Sequence, residues 1–257
     1  MLFLPLQENC YRLWVPFEKV ETSIFLIKTK EGTVLVDCAT VPADITERLW
    51  PALDALGVTP THLFLTHSHA DHAGGLPTLV QKVPNLVICS FSEKLCAAYP
   101  NARLLCDGDR ICTDLEAVHL PGHAGDAAGI WDHRTDTLFT GDALQLWGIG
   151  KYGCGVGNPA AYRATIQKLM ARPPKNLFPS HRYFPLGDSA LDTEAVMAYL
   201  AECEAYFAQL TAWVKADKGR ISDPAALAAV LTQNLRQEHP DAPVIPAWTV
   251  AAILKEC

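Results

Sequence analysis

No run of about 18 apolar residues occurs in the sequence, so a membrane-spanning helix is not expected. Basic residues are not in surplus either: 21 Lys and Arg stand against 28 Asp and Glu, for a formal charge of −7. Nucleic-acid binding driven by bulk charge is therefore not expected, although a local basic patch is still allowed. The early apolar run in MLFLPLQENC has no basic stretch before it and no small-residue cleavage site after it, and Glu8 follows at once. It reads as a first strand, not a secretory leader. Nine cysteines, at 10, 38, 89, 96, 106, 112, 154, 203 and 257, include no CxxC pair. Their odd number and irregular spacing argue against a zinc ribbon or a redox dithiol. They predict mostly buried thiols in a reducing, cytoplasmic compartment.

What remains is the composition of a folded chain, 49% hydrophobic and 19% charged over 257 residues. That length carries one large core, or a core with a smaller attached unit. The first 140 residues alternate short β-rich runs with helical ones. Ile24–Lys28 and Thr33–Asp37 flank Glu31-Gly32 as a hairpin. Ile45, Leu49, Leu53 and Leu56 recur at helical spacing and stop at Gly57. His62–Thr66 predicts a strand, His72–Gln81 a helix with Pro77 early in it, and Leu86–Ser90 another strand. Leu115–Leu120, Ala127–His133 and Thr137–Thr140 form a second strand block, giving two sheet-forming halves whose strands are covered by helices.

Leu144–Pro159 holds five glycines and no period, and reads as a long functional loop. Beyond about Asp188 the pattern turns helical. Val196, Leu200, Cys203, Phe207, Leu210 and Val214 form an apolar stripe, Asp223–His239 opens on an Asp-Pro start signal, and Thr249–Lys255 is a last short helix. The expected division is a catalytic core at 1–187 and a helical extension at 188–257.

The chemistry concentrates at His67-Ser68-His69-Ala70-Asp71-His72, four potential metal ligands in six residues between a strand and a helix. Imidazoles two residues apart on extended backbone share a side, and the following turn adds a carboxylate and another imidazole. Imidazole nitrogen and carboxylate oxygen suit a divalent cation such as zinc. Three further candidates each follow a strand: His123 after Leu120-Pro121-Gly122, Asp142 after Thr140-Gly141, and His181 after Phe178-Pro179-Ser180. Gly74 and Gly75 are expected to permit close packing, and Gly122 and Gly141 to allow bends before His123 and Asp142. His119 suits packing more than coordination, and His62, His133 and His239 lack any such company.

With this HxHxDH motif and the later His, Asp and His, the chain resembles the metallo-beta-lactamase fold superfamily, in its two-metal hydrolase branch, over residues 15–185. The resemblance implies an α+β fold, an αββα sandwich with a C-terminal helical extension. It implies that His67, His69 and His123 hold one ion, that Asp71, His72 and His181 hold another, and that Asp142 bridges them. The residues alone suit metals without assigning them to individual ions. Zinc is the first expectation, with iron and manganese also compatible. Asp37 matches a position where a carboxylate orients a metal-bound histidine through its other ring nitrogen. Asp71 stands where the antibiotic-destroying enzymes carry a cysteine, which argues against β-lactam hydrolysis.

A cation pair generates a bridging hydroxide at neutral pH and stabilises an oxyanion. Asp71 and Asp142 are therefore catalytic candidates, as ligands before proton carriers. The expected activity is hydrolysis of a small-molecule ester, thioester or lactone. The alternatives are a phosphodiesterase or nuclease, suggested by the absence of Asp and Glu between Ala143 and Gly187, and a non-catalytic metabolite sensor. Trp147, Lys151, Tyr152 and Tyr183 are the candidate substrate contacts. The helical extension resembles that of hydroxyacylglutathione hydrolases without a matching glutathione-binding motif. Its apolar stripe fits either its own core or a second subunit, so a homo-oligomer is allowed.

Overall fold

The computed structural model describes residues 2–256; Cys257 lies outside them. One sheet contains β1 (Leu4–Gln7), β2 (Cys10–Phe17), β3 (Val20–Lys28), β4 (Thr33–Val36), β5 (His62–Phe64), β6 (Val87–Ser90) and β7 (Ala102–Leu104), in that spatial order. β1 to β4 pair antiparallel, and the Glu31-Gly32 turn sets Lys28 opposite Thr33. β4 to β7 run parallel, so crossovers must join them. The crossovers carry α1 (Trp50–Ala55), entered through a π-helical stretch at Asp44–Leu49, then α2 (Ala70–Ala73) with α3 (Leu76–Lys82), then α4 (Glu93–Ala98).

The second sheet contains β8 (Arg110–Cys112), β9 (Leu115–His119), β10 (Ala128–Asp132), β11 (Thr137–Gly141), β12 (Asn176–Pro179) and β13 (Ala190–Leu191), in the order β13-β12-β11-β10-β9-β8. The parallel pair β11 and β12 is linked through α5 (Pro159–Ala171). The chain ends in α6 (Thr193–Asp217), α7 (Pro224–Glu238) and α8 (Ala247–Leu254). Two mixed sheets with flanking helices and C-terminal helices are the αββα class expected from the sequence.

The chain divides into two compact units. The first runs to His119 and takes in Asp126–Thr135; the second holds Leu120–Gly125 and the chain from Asp136 on. In the first, the apolar face of β3 and the helical stripe Ile45, Leu49 and Leu53 enter one core with Leu63 and Leu79. Burying each such side chain contributes about 1.5–3 kcal/mol. In the second, Val196, Leu200, Cys203, Phe207, Leu210 and Val214 are all buried. α6 packs there on α5, β12, β13, α7 and α8, so the stripe is covered within its own unit.

One expected element is divided. The predicted helix over His72–Gln81 is two short helices broken at Gly74-Gly75. The chain there presses on the segment after β4: a Cβ on Gly74 would lie 2.1 Å from Thr40 O, and one on Gly75 2.0 Å from Cys38 O. The His72 carbonyl accepts from Cys38 N–H at 2.8 Å, so it is tied to that segment instead of extending a helical ladder. Pro77 then sits in the first turn of α3, where no amide hydrogen is needed. The short elements α4, β7, β8 and β13 carry no period long enough to announce them.

Candidate metal centre

In the first unit, the ends of β4 and β5 build the histidine cluster. Asp37 N–H donates to Phe64 O at 2.9 Å, which sets the Asp37 side chain beside the end of β5. Asp37 has φ of 65°, a region that Asp tolerates better than most residues. Its carboxylate is fully buried and accepts from Thr66 N–H at 2.8 Å, Thr66 Oγ1–H at 2.9 Å and His72 Nδ1–H at 2.7 Å. Those bonds decide the tautomers. With its proton on Nδ1, His72 presents the Nε2 lone pair, which lies 3.2 Å from Asp71 Oδ2. Thr66 Oγ1 gives its hydrogen to Asp37 and so accepts from His67 Nδ1–H at 3.1 Å, leaving His67 Nε2 as a ligand atom too.

His69 precedes α2 on extended backbone (ψ 154°), and the turn into α2 supplies Asp71 and His72. The His67 ring lies 4.5 Å from that of His69 and 4.1 Å from that of His72. Buried Thr22 on β3 donates its hydroxyl to Asp71 Oδ2 at 3.4 Å.

In the second unit, Gly122 turns the chain into His123 with φ of +145°, and a Cβ there would lie 2.5 Å from Tyr162 Cα. Glycine is required on both counts. His123 Nδ1 lies 2.7 Å from Gly155 O, which can only accept its hydrogen, and Gln145 Nε2 approaches the same nitrogen at 2.9 Å; the ring's Nε2 faces Asp142. Gly141, at φ 56°, turns β11 into Asp142, and Ser180 N–H donates to Gly141 O at 3.1 Å, tying the ends of β11 and β12 together. Asp142 then divides its oxygens: Oδ2 lies 3.8 Å from His123 Nε2 and Oδ1 3.4 Å from His181 Nε2. Behind it, burial raises the pKa of the phenols of Tyr162 and Tyr199 and of the thiols of Cys154 and Cys203, the last to about 12. These groups stay neutral.

One ligand atom from each of His67, His69 and His123 lies within 4.8 Å of the others, and the same holds for Asp71, His72, Asp142 and His181. All seven ligands expected from the sequence thus fall into two groups that could each hold a metal ion. His69 is exposed and the other six are buried. A mixed imidazole and carboxylate set, with Nδ1 of His67, His72 and His123 engaged by Thr66, Asp37 and Gly155, fits a divalent cation chemically.

The loop candidates are placed differently from one another. Tyr183 is buried with its ring 5.6 Å from that of His181. Trp147 donates Nε1–H to Glu202 at 2.6 Å and stacks on Tyr206. Lys151 is exposed, with its ammonium 5.1 Å from the centre of the Tyr152 ring. The basic residues of the acid-free stretch are solvent-facing: Arg163 pairs with Glu256 at 2.6 Å and Arg182 with Asp188 at 3.2 Å. His119 stacks on Phe91, and His133 pairs with Glu116 at 2.8 Å, so both serve packing and surface bonding.

Sequence reasoning missed Gln145 and Trp248. Gln145 Oε1 accepts from Gly155 N–H at 2.5 Å, and its Nε2 lies 2.9 Å from His123 Nδ1, so it packs directly against the ligand ring. Trp248 on α8 is 45% exposed, and its ring lies 6.0 Å from that of His123. A Cβ on Gly155 would lie 2.5 Å from the Trp248 indole. The Gly155-Val156-Gly157 spacing was the available signal of a close approach.

The chain matches the family model described as Metallo-beta-lactamase superfamily over residues 18–90 and 107–181. Among curated proteins, it is 32% identical over 164 residues to the hydroxyacylglutathione hydrolase of Aeromonas hydrophila, covering 62% of this chain and 61% of that one. It is 27% identical over 170 residues to the atrochrysone carboxyl ACP thioesterase of Aspergillus terreus, covering 59% and 52%. The chain spans about half the length of the first curated relatives it matches. Among solved structures, the di-iron-bound form of TTHA1623 is similar with a TM-score of 0.52 and 27% identity, over 66% of this chain and 91% of that one.

Proposed function

Since the chain belongs to the metallo-beta-lactamase superfamily, we propose that it is a two-metal hydrolase of small-molecule acyl substrates, an ester, a thioester or a lactone. The observation that carries this reading is the sorting of seven ligands into two groups, with Asp142 offering one oxygen toward His123 and the other toward His181. We assign His67, His69 and His123 to one ion, Asp71, His72 and His181 to the other, and the bridge to Asp142. Bound there, a cation pair supplies a strong nucleophile from water at neutral pH and stabilises developing negative charge.

The chain's own work is positional. Asp37 and Thr66 hold His72 and His67 in the ligating tautomer, Gly155 O does the same for His123, and Thr22 steadies Asp71. Trp248 and Tyr183 are proposed to wall the acyl group, with Trp147, Lys151 and Tyr152 in the loop nearby. The catalytic domain is then 1–187, and 188–257 is an extension that shapes the pocket. A thioester is favoured within the class because one relative is named a thioesterase and another a hydroxyacylglutathione hydrolase. Zinc is the proposed metal, with iron the competitor because a 27%-identical structure is a di-iron form. Free thiols at the described cysteines fit a cytoplasmic setting. No helix among the described residues is long and apolar enough to cross a membrane.

The test is to measure bound metals in the purified protein and then screen esters, thioesters, lactones and phosphodiesters. Acyl hydrolysis that is lost on chelation and restored by metal is the expected result. Phosphodiester cleavage without acyl hydrolysis would overturn the proposal.

A further inference from the structure

A cavity lies within the second unit, where the loop after Asp142 meets α6 and α7. Its volume is ≈190 Å³, and none of its lining residues is among the seven grouped ligands. Trp213 and Asp217, one helical turn apart on α6, line it together with Leu235 and Glu238 near the end of α7, His239, and Trp147 from the loop. Trp147 cannot swing: its Nε1–H is bound to Glu202 at 2.6 Å, one face stacks on Tyr206 at 5.2 Å, and His239 meets it edge-on at 4.8 Å. Two indoles thus wall the cavity and two carboxylates stand among its lining, with no Lys or Arg. Arg220 approaches Asp217 Oδ1 at 3.3 Å, but its side chain is 82% exposed, so the pair is screened by solvent and leaves most of the acidic character in place.

We propose that this cavity is a binding site for a small organic cation, a quaternary or methylated ammonium group. Indole faces carry negative quadrupole charge and attract a cation within about 6 Å; the Trp147 ring is already packed by Tyr206, Phe184 and His239, so the face offered to the cation is that of Trp213, with Trp147 as a rigid apolar wall. Methylated ammonium also has an apolar surface that suits Leu235 and the ring walls, while Asp217 and Glu238 supply long-range attraction. A neutral molecule of the same shape would keep the apolar contact and lose both electrostatic contributions. A carboxylate or phosphate would meet like charge, so the cavity also selects against anions.

The experiment is calorimetric titration of the full-length protein with choline and with tetramethylammonium, at constant ionic strength, against the neutral isostere 3,3-dimethylbutan-1-ol. Saturable binding of both cations is expected, with the isostere roughly tenfold weaker or worse. Glu238→Gln, at an exposed residue, should weaken the cations several-fold without altering thermal stability, and Trp213→Leu should abolish their binding. No saturable heat up to about 50 mM would overturn the proposal, as would equal binding of the isostere or unchanged binding in both variants. Metal content and hydrolytic activity do not enter these readouts, so the result is independent of the function proposed above.

Discussion

Asp37→Asn isolates how much of the metal centre depends on a residue that touches no ligand group directly except through hydrogen bonds. The carboxylate accepts three of them, at 2.8, 2.9 and 2.7 Å, and every partner is a donor. Asn has nearly the same shape and tolerates the φ of 65° at this position, so the backbone should not object. It has one acceptor oxygen, however, and its amide must point two hydrogens at a group that also donates. The least disruptive escape is for His72 to move its proton from Nδ1 to Nε2, which removes the lone pair that faces Asp71. Losing a buried hydrogen bond to a charged acceptor costs about 1.5–3 kcal/mol. That range agrees with the roughly 10–100-fold loss of metal affinity seen when such supporting groups are removed. The assay is competition of the purified variant against a chelator of known affinity, with metal counted per chain and folding checked by circular dichroism. The ion held with His72 should bind roughly 10–100-fold more weakly. Affinities within about twofold of the parent for both ions, in a folded variant, would refute the claim that Asp37 sets the His72 tautomer.

Four more outcomes follow from the packing. Gly122→Ala would drive a Cβ to 2.5 Å from the Tyr162 backbone at a left-handed φ, so its melting curve should show a loss of at least about 3 kcal/mol or failure to fold. Leu200→Ala, at a fully buried position of the α6 stripe, should cost about 2–5 kcal/mol in denaturant unfolding. Trp248→Ala should change stability little, since the ring is 45% exposed, while raising KM for an acyl substrate more than it lowers kcat. Burial pushes the pKa of the Cys10 and Cys89 thiols up to about 12, so at pH 8 they remain protonated. Iodoacetamide on the native protein should therefore label exposed Cys106 and spare Cys10 and Cys89, as read by peptide mass spectrometry.

Much of the fold was legible because its signals are local. The hairpin at Glu31-Gly32, the α1 stripe ending at Gly57 and the α6 stripe each repeat at the period of their own element, and the structure places them accordingly. The α2–α3 break was not legible in the same way. Its cause is the segment after β4, more than thirty residues upstream, crowding Gly74 and Gly75. The glycines were read as sites of close packing, but nothing in their neighbourhood names what they pack against. Trp248 escaped for a related reason: its partner His123 is brought near it by the fold, and α8 by itself reads as an ordinary apolar helix.

By itself the sequence determined the donor inventory. Imidazole and carboxylate chemistry belongs to the residues, and six consecutive positions ending in Asp71-His72, with His123, Asp142 and His181 after strands, restrict it to metal ligation. Only the tertiary structure decided which ring atom is offered by His67, His72 and His123. That choice rests on the hydrogen bond at the opposite ring nitrogen, and the acceptors come from far along the chain, Asp37 for His72 and Gly155 for His123, 35 and 32 residues away. A ligand's identity is covalent and local, whereas its protonation and direction are properties of its surroundings, and those surroundings exist only once the chain has folded.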